Sequence, residues 1–190
     1  MRMEHDAKAV VVALAGRRID APGSDPPRFP LDNAPTVRMR LAELMSVEHV
    51  TALVCSAACG ADLVALEEAE RLGLRRRIVL PFSPERFRKT SVVDRPGDWG
   101  PVFDRLILAA ERAGDLVVLS AVTGNDNAAY AAANEAIIHE AQLLADAGAP
   151  SRLIAVVVWE GGARAGNDAT EAFRHLASIA SFEQRSVTTL

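Results

Sequence analysis

Apolar runs short enough to be strands alternate along this chain with segments of helical period. That rhythm narrows the fold more than any single motif does. The first run, residues 9–15 (AVVVALA), is apolar at every position, the pattern of a parallel strand covered on both faces. Residues 51–56 (TALVCS), 77–82 (RIVLPF), 115–121 (DLVVLSA) and 153–159 (LIAVVVW) share that character, and 186–190 reads as a short final strand. After a loop rich in Pro, Gly and Asp over 20–35, Thr36 can cap a helix that carries Val37, Leu41 and Leu44 on one face. Leu63, Leu66, Ala69 and Leu72 make the stripe of a helix over 60–74, with Gly73 near its end. A polar stretch then runs to Gly100. Helices follow over 101–113, over the Ala-rich segment 127–147, and over 168–179.

Strand–helix alternation with apolar strands implies a Rossmann-like α/β fold: an open, mostly parallel twisted sheet of five or more strands with helices on both faces. The 190 residues suit one domain, 1–190, and 49% hydrophobic with 24% charged residues is globular rather than disordered composition. A net charge of −4 argues against direct nucleic-acid binding. No apolar run approaches the roughly 20 residues of a bilayer span, and the start carries no leader pattern, so the expected location is cytoplasmic and away from membranes. Cys55 and Cys59 are spaced C-x-x-x-C with no second pair or nearby His, which suggests buried free thiols and no metal site.

In such sheets ligands sit outside the carboxyl ends of the strands, and the chemistry-bearing residues fall there. Gly16-Arg17 follows the first strand; glycine permits close approach, and the arginine can fork onto phosphate or stay solvated. Ser56, Ala57, Gly60, Ala61 and Asp62 follow the second. Small residues at a helix start expose amides that favour an anion, while Asp62 either bonds a ribose hydroxyl or complements the helix dipole. Phe82 after the third strand could stack on a base, and Arg86 or Arg88 reach a phosphate; a core Phe and a solvated basic turn explain them as simply. Tyr130 and Asn134 share a helix face beyond Gly124. The fifth strand leads through Trp159, Gly161 and Gly166 to Thr170 and Glu171, a second glycine-rich helix start. There Glu171 is either a carboxylate for sugar chemistry or part of the helix cap.

Taken in order, these motifs resemble the SLOG superfamily, named for second-messenger sensing and the LONELY GUY phosphoribohydrolases. The likeness rests on Gly16-Arg17, Ser56 to Asp62, Leu80-Pro81-Phe82 with Phe87, Ser91-Val92 with Trp99 and Phe103, Tyr130 with Asn134, and Val158 to Gly161 with Thr170-Glu171. It spans roughly residues 8–190. The resemblance implies a pocket for nucleotides or their derivatives. Some relatives cleave the base–ribose bond of nucleoside monophosphates, and others sense cyclic or ADP-ribose-like messengers. The enzymes carry a P-G-G-x-G-T-x-x-E loop. Here Gly161-Gly162 is followed by Ala163-Arg164-Ala165 and then Gly166 to Glu171, without the proline or the Gly-Thr pair.

Two functions follow as expectations. The first is a sensor domain that binds a nucleotide-derived small molecule and needs no obligatory cofactor. The second is an N-glycosidase acting on nucleoside monophosphates, with Glu171 and Arg17 as catalytic groups. The alanines of 127–147 could also pack against a second copy or a partner effector, or simply against the sheet.

Overall fold

A computed structural model describes residues 9–119, 125–147 and 151–190. Gly124 and the end of the fourth apolar run lie outside the described residues. The strands are β1 (Val10–Gly16), β2 (Val50–Cys55), β3 (Arg75–Leu80), β4 (Leu116–Val118), β5 (Arg152–Trp159) and β6 (Glu183–Thr188). The helices are α1 (Ala34–Val47), α2 (Ala61–Arg71), α3 (Pro84–Ser91), α4 (Gly100–Ala113), α5 (Asp126–Asp146) and α6 (Ala169–Ile179). All pairings are parallel, and the strand order is β4-β3-β2-β1-β5-β6.

Alternating side chains of the central strands feed two separate cores, because successive residues of a strand point to opposite faces. Val10, Val12 and Leu14 of β1 face Val37, Leu41, Leu63, Leu66 and Phe103, from α1, α2 and α4. Val11 and Ala13 face Ile137, Ile138, Ala141, Phe173 and Ala177, from α5 and α6. The alanines at 129, 133, 141 and 145 of α5 are all buried. Ala141 and Ala145 belong to the core under the sheet, so packing against the sheet accounts for much of the alanine face.

The sequence segments differ from these elements mainly at their ends. α1 starts ahead of Thr36, behind Asn33 and with Pro35 in its first turn, where a missing amide hydrogen costs nothing. β6 begins three residues before the expected segment and pairs along β5 from Ile154↔Glu183 to Trp159↔Thr188. The polar stretch before Gly100 contains α3. Ser83 caps it by accepting from the Arg86 amide, Pro84 opens it, and Phe87 and Ser91 are its buried face.

Between β1 and β5 the winding reverses. β1 to β4 step outward in one direction, and β5 with β6 lie on the other side of β1. Chains leaving the carboxyl ends of β1 and β5 diverge at such a point and open a crevice. Two glycines let the surrounding backbones meet there. A Cβ on Gly16 would stand 2.5 Å from Ala61 Cβ and 2.7 Å from both Val158 Cβ and the Val158 carbonyl oxygen. Gly60 has φ +109°, and a Cβ there would strike the Arg17 carbonyl at 2.7 Å. The two loops are stitched by Ala61 N–H to Arg17 O (3.0 Å) and Ile19 N–H to Cys59 O (3.2 Å).

Gly16→Ala should therefore lower stability in urea denaturation by about 2–3 kcal/mol, the usual cost of forcing a methyl into packed backbone. Gly162→Ala, where no atom lies within 4 Å, should change it by less than about 0.5 kcal/mol.

Candidate functional site

The crevice is a cavity of about 590 Å³, within the range of roughly 300–1,000 Å³ common for small-molecule sites. Its walls come from the loop after β1 (Gly16 to Asp20), the β2–α2 turn (Ser56, Ala58, Asp62), one face of α5 (Tyr130, Asn134, Ile137) and the approach to α6 (Arg164, Asn167, Thr170). Ser24, Asp25, Pro26 and Arg28 of the 20–35 loop close another side. The base of that loop is fastened by Phe29, which is fully buried, and by the Asp20 carboxylate, which accepts from the Arg28 and Phe29 amides.

Of the residues singled out in the sequence, Gly16, Arg17, Ser56, Asp62, Tyr130, Asn134 and Thr170 reach this cavity. Ala57, Gly60 and Ala61 lie behind its wall as core and loop-packing groups. Phe82 instead packs edge-on against Tyr130 (ring centroids 5.6 Å apart), with the Arg86 guanidinium over its outer face at 3.8 Å and paired to Asp126. Arg88 forks onto Asp104 at the surface. Trp159 donates its indole N–H to Ser186 Oγ on β6. Gly161 and Gly166 sit at positive φ in open loop, where an added Cβ would meet no atom within 4 Å. Glu171 is paired with Arg174 through two bonds of 2.7 and 2.8 Å and is not part of the wall.

The arginine fork that the sequence offers a ligand is occupied by the protein itself. Arg17 is only 4% exposed. Its Nη1 and Nη2 donate to the two oxygens of Asp168 at 2.7 and 2.8 Å, its Nε donates to Glu160 at 2.6 Å, and Nη2 also reaches the Gly162 carbonyl. Burial pushes the Asp168 carboxyl up, but the bonds from Arg17 and from the Arg164 and Glu171 amides outweigh it and hold the group well below its usual range. Glu160 is lowered by the same balance of burial against Arg17.

Both helix starts are likewise filled. Asp168 caps α6 by accepting from the Thr170 and Glu171 amides. At α2 the Ala61 amide serves Arg17 O, and the Ala58 amide serves Asp62 Oδ2 at 3.1 Å. At α6 the anion expected at the amides is thus a protein carboxylate, whereas at α2 a backbone carbonyl takes the first amide and Asp62 takes the Ala58 amide ahead of the helix. Asp62 is 7% exposed. Burial raises its carboxyl, partly offset by the Ala58 amide and by Arg18, leaving it at about 7. A carboxyl poised there can donate or accept a hydrogen bond at the cavity wall. Asn134 is held by its Nδ2 donating to the Ala169 carbonyl (2.9 Å), and the Tyr130 hydroxyl meets Ser91 Oγ at 2.8 Å.

Sequence reasoning missed Arg18, Asp20, Arg28, Arg95, Asn127, Arg164 and Asn167 as wall residues, and it carried Ser91 only through the family resemblance. Arg18 was legible as the neighbour of Gly16-Arg17. Ser91 and Arg95 depend on α3, whose only signal was the Ser83-Pro84 start. Among the described residues no group of His, Cys, Asp and Glu gathers as a metal site, and both thiols are free and buried.

These charges make stability depend on pH in two opposite ways. Arg17→Met takes the buried cation from Asp168 and leaves Glu160 with Arg28 alone, so stability near pH 7 should fall by about 3–5 kcal/mol. Both carboxyls are depressed in the folded state, so the clamp is at full strength above their unfolded values and is lost as pH falls below about 4. The gap between wild type and Arg17→Met, followed by urea denaturation, should shrink toward acid. Asp62 has the opposite sign. Its folded value near 7 exceeds the ordinary 3.8, so folding is favoured at low pH and loses support as pH rises from about 4 to about 7. Asp62→Asn keeps an oxygen for the Ala58 amide, and its melting temperature relative to wild type should rise from pH 5 to pH 8. Compared with known proteins, the chain matches no family model and no curated sequence.

Proposed function

We propose that this chain binds a nucleotide or nucleotide-derived small molecule, ADP-ribose-like or cyclic, as a sensor domain of the SLOG kind. The observation that carries the reading is the cavity of about 590 Å³ at the point where strand order reverses, the position at which open α/β sheets hold their ligands. Its lining suits such a molecule. Ile19, Phe87 and Ile137 offer apolar surface, and Tyr130, Asn134, Thr170 and Asp62 offer polar groups for a sugar or base edge. Sensing is favoured over glycosidic cleavage by the state of Glu171, whose carboxylate is held by Arg174 away from the wall. Arg17, the other group the cleavage reading needs, is saturated by Asp168 and Glu160.

A panel of AMP, ADP, ADP-ribose and 3′,5′-cyclic AMP should contain at least one compound that raises the melting temperature. At a hundredfold excess over the dissociation constant the gain is about 2.7 kcal/mol, or roughly 5–10 °C for a domain of this size. No shift with any of them at millimolar concentration would remove the nucleotide reading. Free base accumulating from AMP, and lost in Glu171→Gln, would replace sensing with hydrolysis.

A further inference from the structure

The cavity has a cationic corner that the strand-end motifs do not include. Arg18 and Arg95 both line it, and they share one carboxylate, Asp94. Arg18 Nη2 is paired with Asp94 Oδ1, while Arg95 Nε stands 3.6 Å from Oδ2, beyond good hydrogen-bond distance. Two guanidinium groups face one paired carboxylate here, and Asp62, the other carboxyl that feels Arg18, is raised to about 7 by burial and carries only part of a charge. Two polar atoms of the same wall also lack partners. Arg18 Nε and Ser56 Oγ are shut from solvent and make no hydrogen bond. The thiol near Arg18 is Cys59, raised by burial and therefore neutral, and a thiol is a weak acceptor.

The corner is fixed in place by backbone. Arg18 bridges Gly60, and the Cys59 amide donates to the Ser91 carbonyl at 3.0 Å, tying the β1 loop, the β2–α2 turn and α3 together. The Arg17 side of the cavity offers a ligand much less, since that guanidinium already holds Asp168 and Glu160. The helix starts offer less, because Asp168 holds the first amides of α6 and the first amide of α2 serves the Arg17 carbonyl.

We propose that Arg18 and Arg95 form the anion subsite of the cavity, taking a phosphoryl group that replaces Asp94 between their guanidinium forks. Guanidinium geometry matches phosphate oxygens two at a time. The remainder of the ligand then extends past Asp62 toward Tyr130, Asn134 and Thr170. The ligand class is thus a phosphate ester whose anionic end lies on the β2–α3 side of the crevice, away from the glycine-rich loop after β5. Its identification as a nucleotide rests on the function proposed above; the anion subsite does not.

The test compares AMP with adenosine by calorimetry on wild type, Arg18→Gln, Arg95→Gln and Asp94→Asn. Each glutamine variant should weaken AMP about tenfold or more, the loss of a charge-assisted fork, and leave adenosine unchanged. Asp94→Asn removes the competing carboxylate and should tighten AMP severalfold, an effect that damage to the fold would not produce. Unchanged AMP affinity in both glutamine variants, or weaker binding in Asp94→Asn, overturns the subsite while leaving nucleotide binding intact. If AMP does not bind wild type, inorganic pyrophosphate is titrated and the arginine Nε–Hε resonances are followed by NMR. Shifts that vanish in Arg18→Gln and Arg95→Gln uphold the subsite and reject the nucleotide. No shift at millimolar pyrophosphate rejects the subsite.

Discussion

A single guanidinium group at the end of β1 joins parts of the chain more than 140 residues apart. Arg17 takes Asp168 from the start of α6 and Glu160 from the end of β5, and its carbonyl receives the first amide of α2. Buried charges are tolerated only when each is paired and hydrogen-bonded, and here each of the three side chains is. The consequence reaches beyond stability. At a reversal of strand order the connections leave for opposite faces, and here the backbone ladder between β1 and β5 runs only as far as Arg17 N–H to Val158 O at 2.8 Å. Beyond that bond the Arg17 side chain ties the loop to Glu160 and Asp168, and the clamp stands at one end of the cavity.

The same clamp decides which groups remain for a ligand. Helix starts in α/β proteins commonly present bare amides to phosphate, and the small residues around Gly60 and Gly166 look suited to that. In this chain Asp168 sits at the α6 amides, the first amide of α2 goes to the Arg17 carbonyl, and Asp62 takes the Ala58 amide just ahead of that helix. The two carboxyls are nonetheless unlike each other. Asp168 has a buried cation beside it and stays ionised, whereas Asp62 has one amide and a more distant Arg18 and is raised to about 7. One fastens the structure; the other lines the cavity with its proton in balance.

Much of the architecture could be read from residues alone, because strand and helix periods follow directly from burial. Val10 to Leu14 alternate between two cores, and both faces being apolar already announced a covered parallel strand. What stayed hidden depended on pairing across the chain. α3 is too short and too polar for its period to show, with only Phe87 and Ser91 buried. The glycines at 16 and 60 were legible as sites of close approach, but whether the approaching body is a ligand or another loop is set by where the loops meet. The charges were least legible of all. Arg17 and Arg18 are adjacent in sequence, and nothing local tells that the first faces Asp168 and Glu160 while the second shares Asp94 with Arg95.

That difference between neighbouring arginines argues for a division of labour along the crevice. A buried guanidinium already held by two carboxylates and a backbone carbonyl has little capacity left for a further group without breaking that clamp. A pair of cations around one half-exposed carboxylate can exchange that carboxylate for a phosphate at little electrostatic loss, since the incoming anion restores the lost attraction and adds oxygens for unused donors. Exchange of this kind needs the partner to be able to leave, and Asp94, 33% exposed on its side chain, can return to water where the buried Asp168 cannot. One arginine thus fastens the loops after β1 and β5, and on the proposed reading the next is the one free to meet an anion.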